Sequence, residues 1–292
     1  MLSSYSVFLP SYSVGTDCYR EIPYVTRKYG TKAVVIGGKT AMKKAKPELE
    51  TAIRGSKVEI VDYIWYGGDS NYENIEKLKA NETVQNADML FGVGGGRACD
   101  TVKTLADMLD KPFFTFPTLA SNCAACTAIT VIYNADGSFK EYYYMHGPAY
   151  HTFVNTKIIA DSPEKLLWAG IGDALSKECE VLFASRDKFI YHTPLMGQCV
   201  AKVCTTPLIE YGAAALEACR KNEADFALEH LISLCQPELS PISRPTKISR
   251  IRKTITITTV RLRIAYITGH RRFRSVNGIF MAKLFPSVCS AF

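Results

Sequence analysis

The sequence predicts an α/β fold: an N-terminal domain built on a mostly parallel sheet, followed by an incomplete all-helical C-terminal domain. Three observations predict it. Short apolar runs alternate with helix-forming stretches up to about residue 160. A glycine cluster, Gly94-Gly95-Gly96, joins one of those runs to a helix. From Gly170 the pattern turns helical, until Pro237, Pro241 and Pro245 break it. Alternation of this kind is the βαβα order that sets parallel strands side by side with helices on both faces.

Taken in order, Lys32-Ala33-Val34-Val35-Ile36 reads as a strand ending in Gly37-Gly38, and a helix rich in Ala, Met, Lys and Leu follows. Val58-Glu59-Ile60-Val61 returns as a strand, and Asn71 caps a helix running towards Gln85. Residues 88–93 form the third strand, which enters the glycine turn; a helix occupies residues 100–109. Residues 113–116 are a fourth strand, ending at Pro117-Thr118. Residues 129–133 and 139–144 flank Asp136-Gly137, the turn of a hairpin. Ile158-Ile159-Ala160 is expected to close the sheet, with Asp161-Ser162-Pro163-Glu164 starting a helix by cap and proline. Gly172-Asp173-Ala174-Leu175 is expected to open the next helix, followed by helices over residues 208–219 and 224–234. The resulting division is an α/β domain over 1–161, a partial helical domain over 162–235 and a basic tail over 236–292.

At 292 residues and 47% apolar content the chain can fill a real core. Its net charge of +7 is unevenly placed, because residues 236–292 hold 11 of the 35 basic side chains and one of the 28 acidic ones. The first 235 residues are therefore slightly acidic. A basic tail can bind nucleic acid, but this one mixes apolar residues without pattern, so nucleic acid is not the expected partner. Cys123 and Cys126 form a CxxC with no second such pair, which excludes a four-cysteine zinc site. No apolar run reaches membrane-spanning length and residues 1–10 do not read as a leader. A cytoplasmic protein with free thiols and no membrane partner is the expectation.

The glycine turn carries the chemistry. Three glycines let a ligand approach the backbone, and the free amides and dipole of the following helix make an anion site suited to a pyrophosphate. The dinucleotide fingerprint GxGxxG is imperfect, since Arg97 and Ala98 stand where a third glycine belongs. Asp100 falls in the first helical turn, as a ligand contact or a helix-start acid. Thr118, Ser121 and Thr127 follow the fourth strand at the carboxyl edge, where open sheets bind ligands and where loops also use hydroxyls for capping. Tyr133 reads first as a hairpin packing residue. Asp173 reads as a helix cap or, at a domain boundary, as a metal ligand that needs partners. The five histidines, His146, His151, His192, His230 and His270, supply none at ligand spacing.

Residues 92–103 (GVGGGRACDTVK), 117–133 (PTLASNCAACTAITVIY), 169–175 (AGIGDAL) and 209–212 (IEYG) resemble, in order, the glycerol dehydrogenase branch of the iron-containing (group III) alcohol dehydrogenases. The resemblance spans roughly residues 5–235 and implies a dehydroquinate synthase-like nucleotide domain binding NAD, with NADP possible. Gly94, Gly95, Gly96, Asp100, Thr118, Ser121, Thr127, Ile129, Val131 and Tyr133 fall at its cofactor-binding positions. It also implies an NAD-dependent, metal-dependent alcohol/polyol dehydrogenase of the glycerol dehydrogenase type, moving a hydride between a secondary alcohol and the nicotinamide. A Zn2+ or Fe2+ ion held by one aspartate and two histidines, a small-molecule alcohol or oxo-acid substrate, and a homo-oligomer are implied with it. Asp173 takes the aspartate's place; the family's AAAHxIHNG and HGE segments, which carry the histidines, are absent. Cys123 stands where glycerol enzymes have an aspartate that orients polyol hydroxyls, which favours a hydroxycarboxylate or simple alcohol substrate over a polyol.

Re-reading the codons of residues 260–269 one step out of phase permits AAAHSIHNG, and residues 278–283 permit HFHGE in the same displaced frame. The tail is thus expected to be an out-of-frame translation of the metal-binding region, with metal-dependent activity impaired in this chain. A hydroxycarboxylate (2-oxo acid) dehydrogenase and a dinucleotide-binding protein without catalysis are the two alternative readings.

Overall fold

Five parallel pairings build the central sheet of this computed structural model, which describes residues 5–187, 189–190, 192–235 and 242–245. In chain order the elements begin with β1 (Tyr5–Phe8), β2 (Tyr12–Gly15), α1 (Ile22–Thr26), β3 (Lys32–Gly37), α2 (Lys39–Ile53) and β4 (Glu59–Trp65). Next come α3 (Tyr72–Lys79), α4 (Glu82–Asn86), β5 (Met89–Gly94), α5 (Gly96–Met108), β6 (Phe113–Pro117), the hairpin β7 (Ile129–Tyr133) and β8 (Phe139–Tyr144), and β9 (His151–Asn155). The chain continues through α6 (Thr156–Ala160), α7 (Glu164–Ser185), α8 (His192–Arg220), α9 (Phe226–Cys235) and β10 (Ile242–Pro245).

Strand order in the sheet is β2-β9-β6-β5-β3-β4. Both faces are covered, and strand alternation sorts the side chains between them. Ala33 and Val35 of β3, with Phe91, Phe114, Phe116 and Phe153, pack on the side of α1 and α2. Val34, Ile36, Leu90 and Phe113 face the opposite side with α3, α5 and the hairpin. The helices α7, α8 and α9 enclose a further core through Leu167, Ile171, Leu175, Leu208, Leu216, Leu228 and Leu231. The chain steps from β3 outward to β4 and then crosses back to β5 on the other side of β3. That reversal opens a crevice at the carboxyl ends of β3 and β5, where open α/β sheets bind ligands.

Several boundaries differ from the sequence expectation. The helix predicted from Asn71 to Gln85 is two helices: Asn71 caps α3 by accepting from the Asn74 amide at 2.8 Å, and Asn81 caps α4 in turn. Ile158-Ile159-Ala160 is helical, and the preceding residues 151–155 supply the strand, because Asn155 caps α6 through the Ile158 amide at 3.1 Å. The helix expected to open at Gly172 begins at Glu164, as the Pro163-Glu164 signal predicts, and runs through Ser185. The hairpin turn holds: Gly137 takes φ +77° and Asn134 and Ser138 close it at 2.8 Å. Four residues of the tail form β10, antiparallel to β1 with Tyr5 opposite Pro245. The codon re-reading over residues 260–283 lies outside the described residues.

Candidate active site

The glycine turn sits at the switch point. β5 ends in Gly94, whose φ of +148° belongs to the region glycine tolerates and side chains rarely adopt. A Cβ there would also stand 2.9 Å from that of Ala98. Gly95 is the N-cap of α5 and offers no side chain to its amides, so the first N–H groups of a 13-residue helix remain open to an anion. Because α5 starts at Gly96, Asp100 is its fifth residue and not part of the first turn. Neighbouring backbone locks the crevice: the Gly38 amide donates to the Val93 carbonyl and the Thr118 amide to the Gly94 carbonyl, each at 3.2 Å.

Asp100 points inward, away from the helix terminus. Its carboxylate lies 3.0 Å from the Lys103 ammonium and accepts from the Val131 amide at 3.2 Å. Lys103 is fully buried and also donates to the carbonyls of Thr127 (3.1 Å) and Ile129 (2.9 Å). The pair therefore ties α5 to the hairpin and to the loop after β6. Sequence reading passed over Lys103, since a lysine among apolar helix positions gives no sign of its burial. Thr127 is buried in the same knot, its hydroxyl donating to backbone carbonyls; Thr130 meets Thr104 at 2.8 Å. Ile129 and Val131 are half-buried on β7. Tyr133 is both packed and charged-contact: the Arg97 guanidinium lies 4.7 Å over its ring, and Asp69 holds Arg97 at 3.1 Å. Burial raises the Tyr133 hydroxyl pKa, partly offset by Arg97.

Residues 118–127 form the hinge between the glycine turn and the helical region. Leu119 abuts Gly95 and Asn122 abuts Gly96. On the other side the Ala120 carbonyl presses on α7, where a Cβ at Gly170 would lie 1.7 Å from its oxygen. Thr118 is buried, Ser121 half-buried at the loop surface, and Cys123 and Cys126 are both buried. One turn beyond Gly170 stands Asp173, in the interior of α7, which corrects its reading as a helix cap. The Lys177 ammonium lies 3.0 Å from its Oδ1. Burial first, and then the Asp173 charge, push up the pKa of the Cys235 thiol at the end of α9. Among the described residues no group of three or more His, Cys, Asp or Glu side chains is placed to hold a metal ion. The described residues around Asp173 thus supply no ligand set for a divalent ion, whereas the uncapped glycine turn fits a dinucleotide phosphate. No described helix is long and apolar enough to cross a membrane.

Comparison with known proteins agrees with this geometry. Residues 10–154 match the family model described as iron-containing alcohol dehydrogenase. The chain is 30% identical over 227 residues to the glycerol dehydrogenase of Escherichia coli O6:H1, covering 76% of this chain and 61% of that protein. It is 34% identical over 161 residues to hydroxycarboxylate dehydrogenase A of Escherichia coli K12, covering 54% of this chain and 43% of that protein. The crystal structure of glycerol dehydrogenase from Schizosaccharomyces pombe superposes with a TM-score of 0.70 at 23% identity, over 82% of this chain and 62% of that one. The chain therefore spans about three-fifths or less of the length of these relatives. With its switch-point glycine turn and this sheet order, the chain belongs to the iron-containing alcohol dehydrogenase family, on its glycerol dehydrogenase-like side.

Proposed function

We propose that this chain binds a nicotinamide dinucleotide, NAD by preference, with its pyrophosphate on the Gly94–Gly96 turn. The observation that carries this reading is the open N-terminus of α5 at the topological switch point. Thr118 and Ser121 line the approach from β6, and Tyr133 with Arg97 borders it from the hairpin. When bound, the nicotinamide exchanges a hydride with the carbon of an alcohol or carbonyl substrate. The chain's own residues bind and orient it: the helix amides offset phosphate charge, and the Asp100–Lys103 knot fixes the wall formed by Ile129 and Val131. Substrate binds at the loop that carries Cys123.

A hydroxycarboxylate or 2-oxo acid is favoured over a polyol, because the thiol at Cys123 removes a carboxylate that would bind hydroxyls and repel an acid. Dehydrogenase turnover is impaired, since among the described residues no group of three or more His, Cys, Asp or Glu side chains is placed to hold a metal ion. The codon re-reading accounts for this by a shifted frame over the metal-binding region. Two experiments test the reading. Sequencing the 3′ end of the coding DNA returns the AAAHSIHNG and HFHGE strings in the displaced frame; any other codons there sink the frameshift account. Mass-verified 292-residue protein binds NADH yet gives little or no metal-dependent reduction of NAD with glycerol or a 2-hydroxy acid. Robust turnover contradicts it.

A further inference from the structure

We propose that the outer face of α7 and α8 is a self-association surface: a second copy of this chain lays the same two helices against it, and the four helices form a bundle about a two-fold axis. The inference is independent of dinucleotide binding. α7 and α8 run antiparallel and in register. The Gln198 side-chain amide donates to Ser185 Oγ at 2.6 Å and the Thr205 hydroxyl bonds the Glu178 carboxylate, contacts two turns apart on each helix. Their inner side is filled, with Leu167, Ile171, Leu208 and Leu216 in the core closed by α9. On the outer side Leu195, Cys199 and Val203 recur at every fourth residue of α8, hence in one stripe, and Leu182 and Phe183 continue it on α7. All five are exposed.

Leu182, Phe183, Leu195, Met196 and Val203 are between 38% and 62% exposed. For side chains of that size this leaves apolar surface on the order of 400 Å². A standard interface takes about 800 Å² from each partner, about three-fifths of it apolar, so the face supplies most of what one side of a stable dimer needs. Contact with an identical face is self-complementary by symmetry, and two helix pairs laid face to face are the layers of a four-helix bundle, which buries both stripes at once. Charge disfavours the chain's own remaining segment as the occupant. Residues 246–292 carry ten Lys or Arg and no Asp or Glu. The charges beside the stripe have the same sign: Arg186 lies 3.9 Å over the Phe183 ring, and Lys202 precedes Val203. In a two-fold contact these long side chains reach solvent at the rim.

The test is sedimentation equilibrium of the full native chain from low to high micromolar concentration, beside Val203→Glu and Leu195→Glu. Alkylation of the exposed Cys199, read site by site by mass spectrometry, is the second readout. The expected result is a mass that rises from 32.4 kDa to a plateau at twice that value, with Cys199 labelled at least tenfold more slowly at the high concentration. Each variant keeps its circular dichroism and stays at the single-chain mass throughout. If a variant does not fold, the concentration dependence of Cys199 labelling in the native chain still reports on this face. A native chain that stays at 32.4 kDa overturns the proposal, whatever else covers the stripe. A dimer in which Cys199 is labelled equally fast at every concentration, or one that survives in both variants, places the contact elsewhere and overturns it as well. So does a mass that grows past the dimer without a plateau, which is non-specific aggregation.

Discussion

Lys103 shows how much one side chain can organise. Its fully buried ammonium neutralises Asp100 and collects carbonyls from the loop and the hairpin, so three elements meet at one charge. Lys103→Met strands the Asp100 carboxylate in the interior, and a loss of about 3–5 kcal/mol is expected from urea unfolding, as for a broken buried pair. Gly170 is the complementary case. A Cβ 1.7 Å from the Ala120 carbonyl oxygen has no room, so Gly170→Ala is expected to destabilise by about 1–3 kcal/mol although alanine is the better helix former. A stabilised Gly170→Ala would show that α7 and the loop do not touch as described. His151 supplies a pH effect. Buried on β9, its ring bonds Ser11 Oγ at 2.7 Å and Ser13 Oγ at 2.9 Å, and burial lowers its pKa to about 4. An unfolded histidine titrates near about 6.5, so between those values the unfolded chain binds the proton and the folded chain does not. Stability contributed by the neutral ring is present above about pH 6.5 and falls as pH drops towards about 4. Urea midpoints should decline over that window, and less so in His151→Gln; an equal decline in both would reject the assignment.

At the level of elements, the glycine turn was the most legible part of the sequence. A strand, three glycines and a helix leave little freedom, and the structure differs only in starting α5 at Gly96. That shift moves Asp100 from the ligand edge to the interior, because four residues are more than one turn. Local signals also found the Asp136-Gly137 hairpin and the Pro163-Glu164 helix start. They failed where a long-range partner decides. Asn81 and Asn155 each cap a helix that apolar patterning alone reads as continuous helix or strand. Asp173 looked like a cap because Gly172 precedes it, yet the helix passes through both glycines. Gly170 serves close packing on Ala120, a contact 50 residues away in sequence and invisible to periodicity. Lys103 and Lys177 were missed for the same reason, since burial belongs to the assembled core.

Considered as a whole, the molecule pairs a parallel sheet packed on both faces with a helical region, and the chain spans about three-fifths of the length of the relatives it matches. Its sheet region is internally supported: both faces of the sheet are packed, the glycine turn is held by backbone bonds at 3.2 Å, and the hairpin is fixed by Lys103. The helical region carries Asp173 beside Lys177, and among the described residues no group of three or more His, Cys, Asp or Glu side chains is placed to hold a metal ion. Large apolar side chains on α7 and α8, among them Leu182, Phe183, Leu195 and Val203, stay exposed to solvent. The proposed function accordingly separates dinucleotide recognition from hydride-transfer chemistry. The most direct test is a calorimetric titration of NADH into the native protein and into Gly96→Val, whose side chain would crowd Asn122 and cover the open amides of α5. The account predicts saturable binding by the native chain and at least tenfold weaker binding by the variant, with folding retained in both. No binding by the native chain, or equal binding by the two, would contradict it.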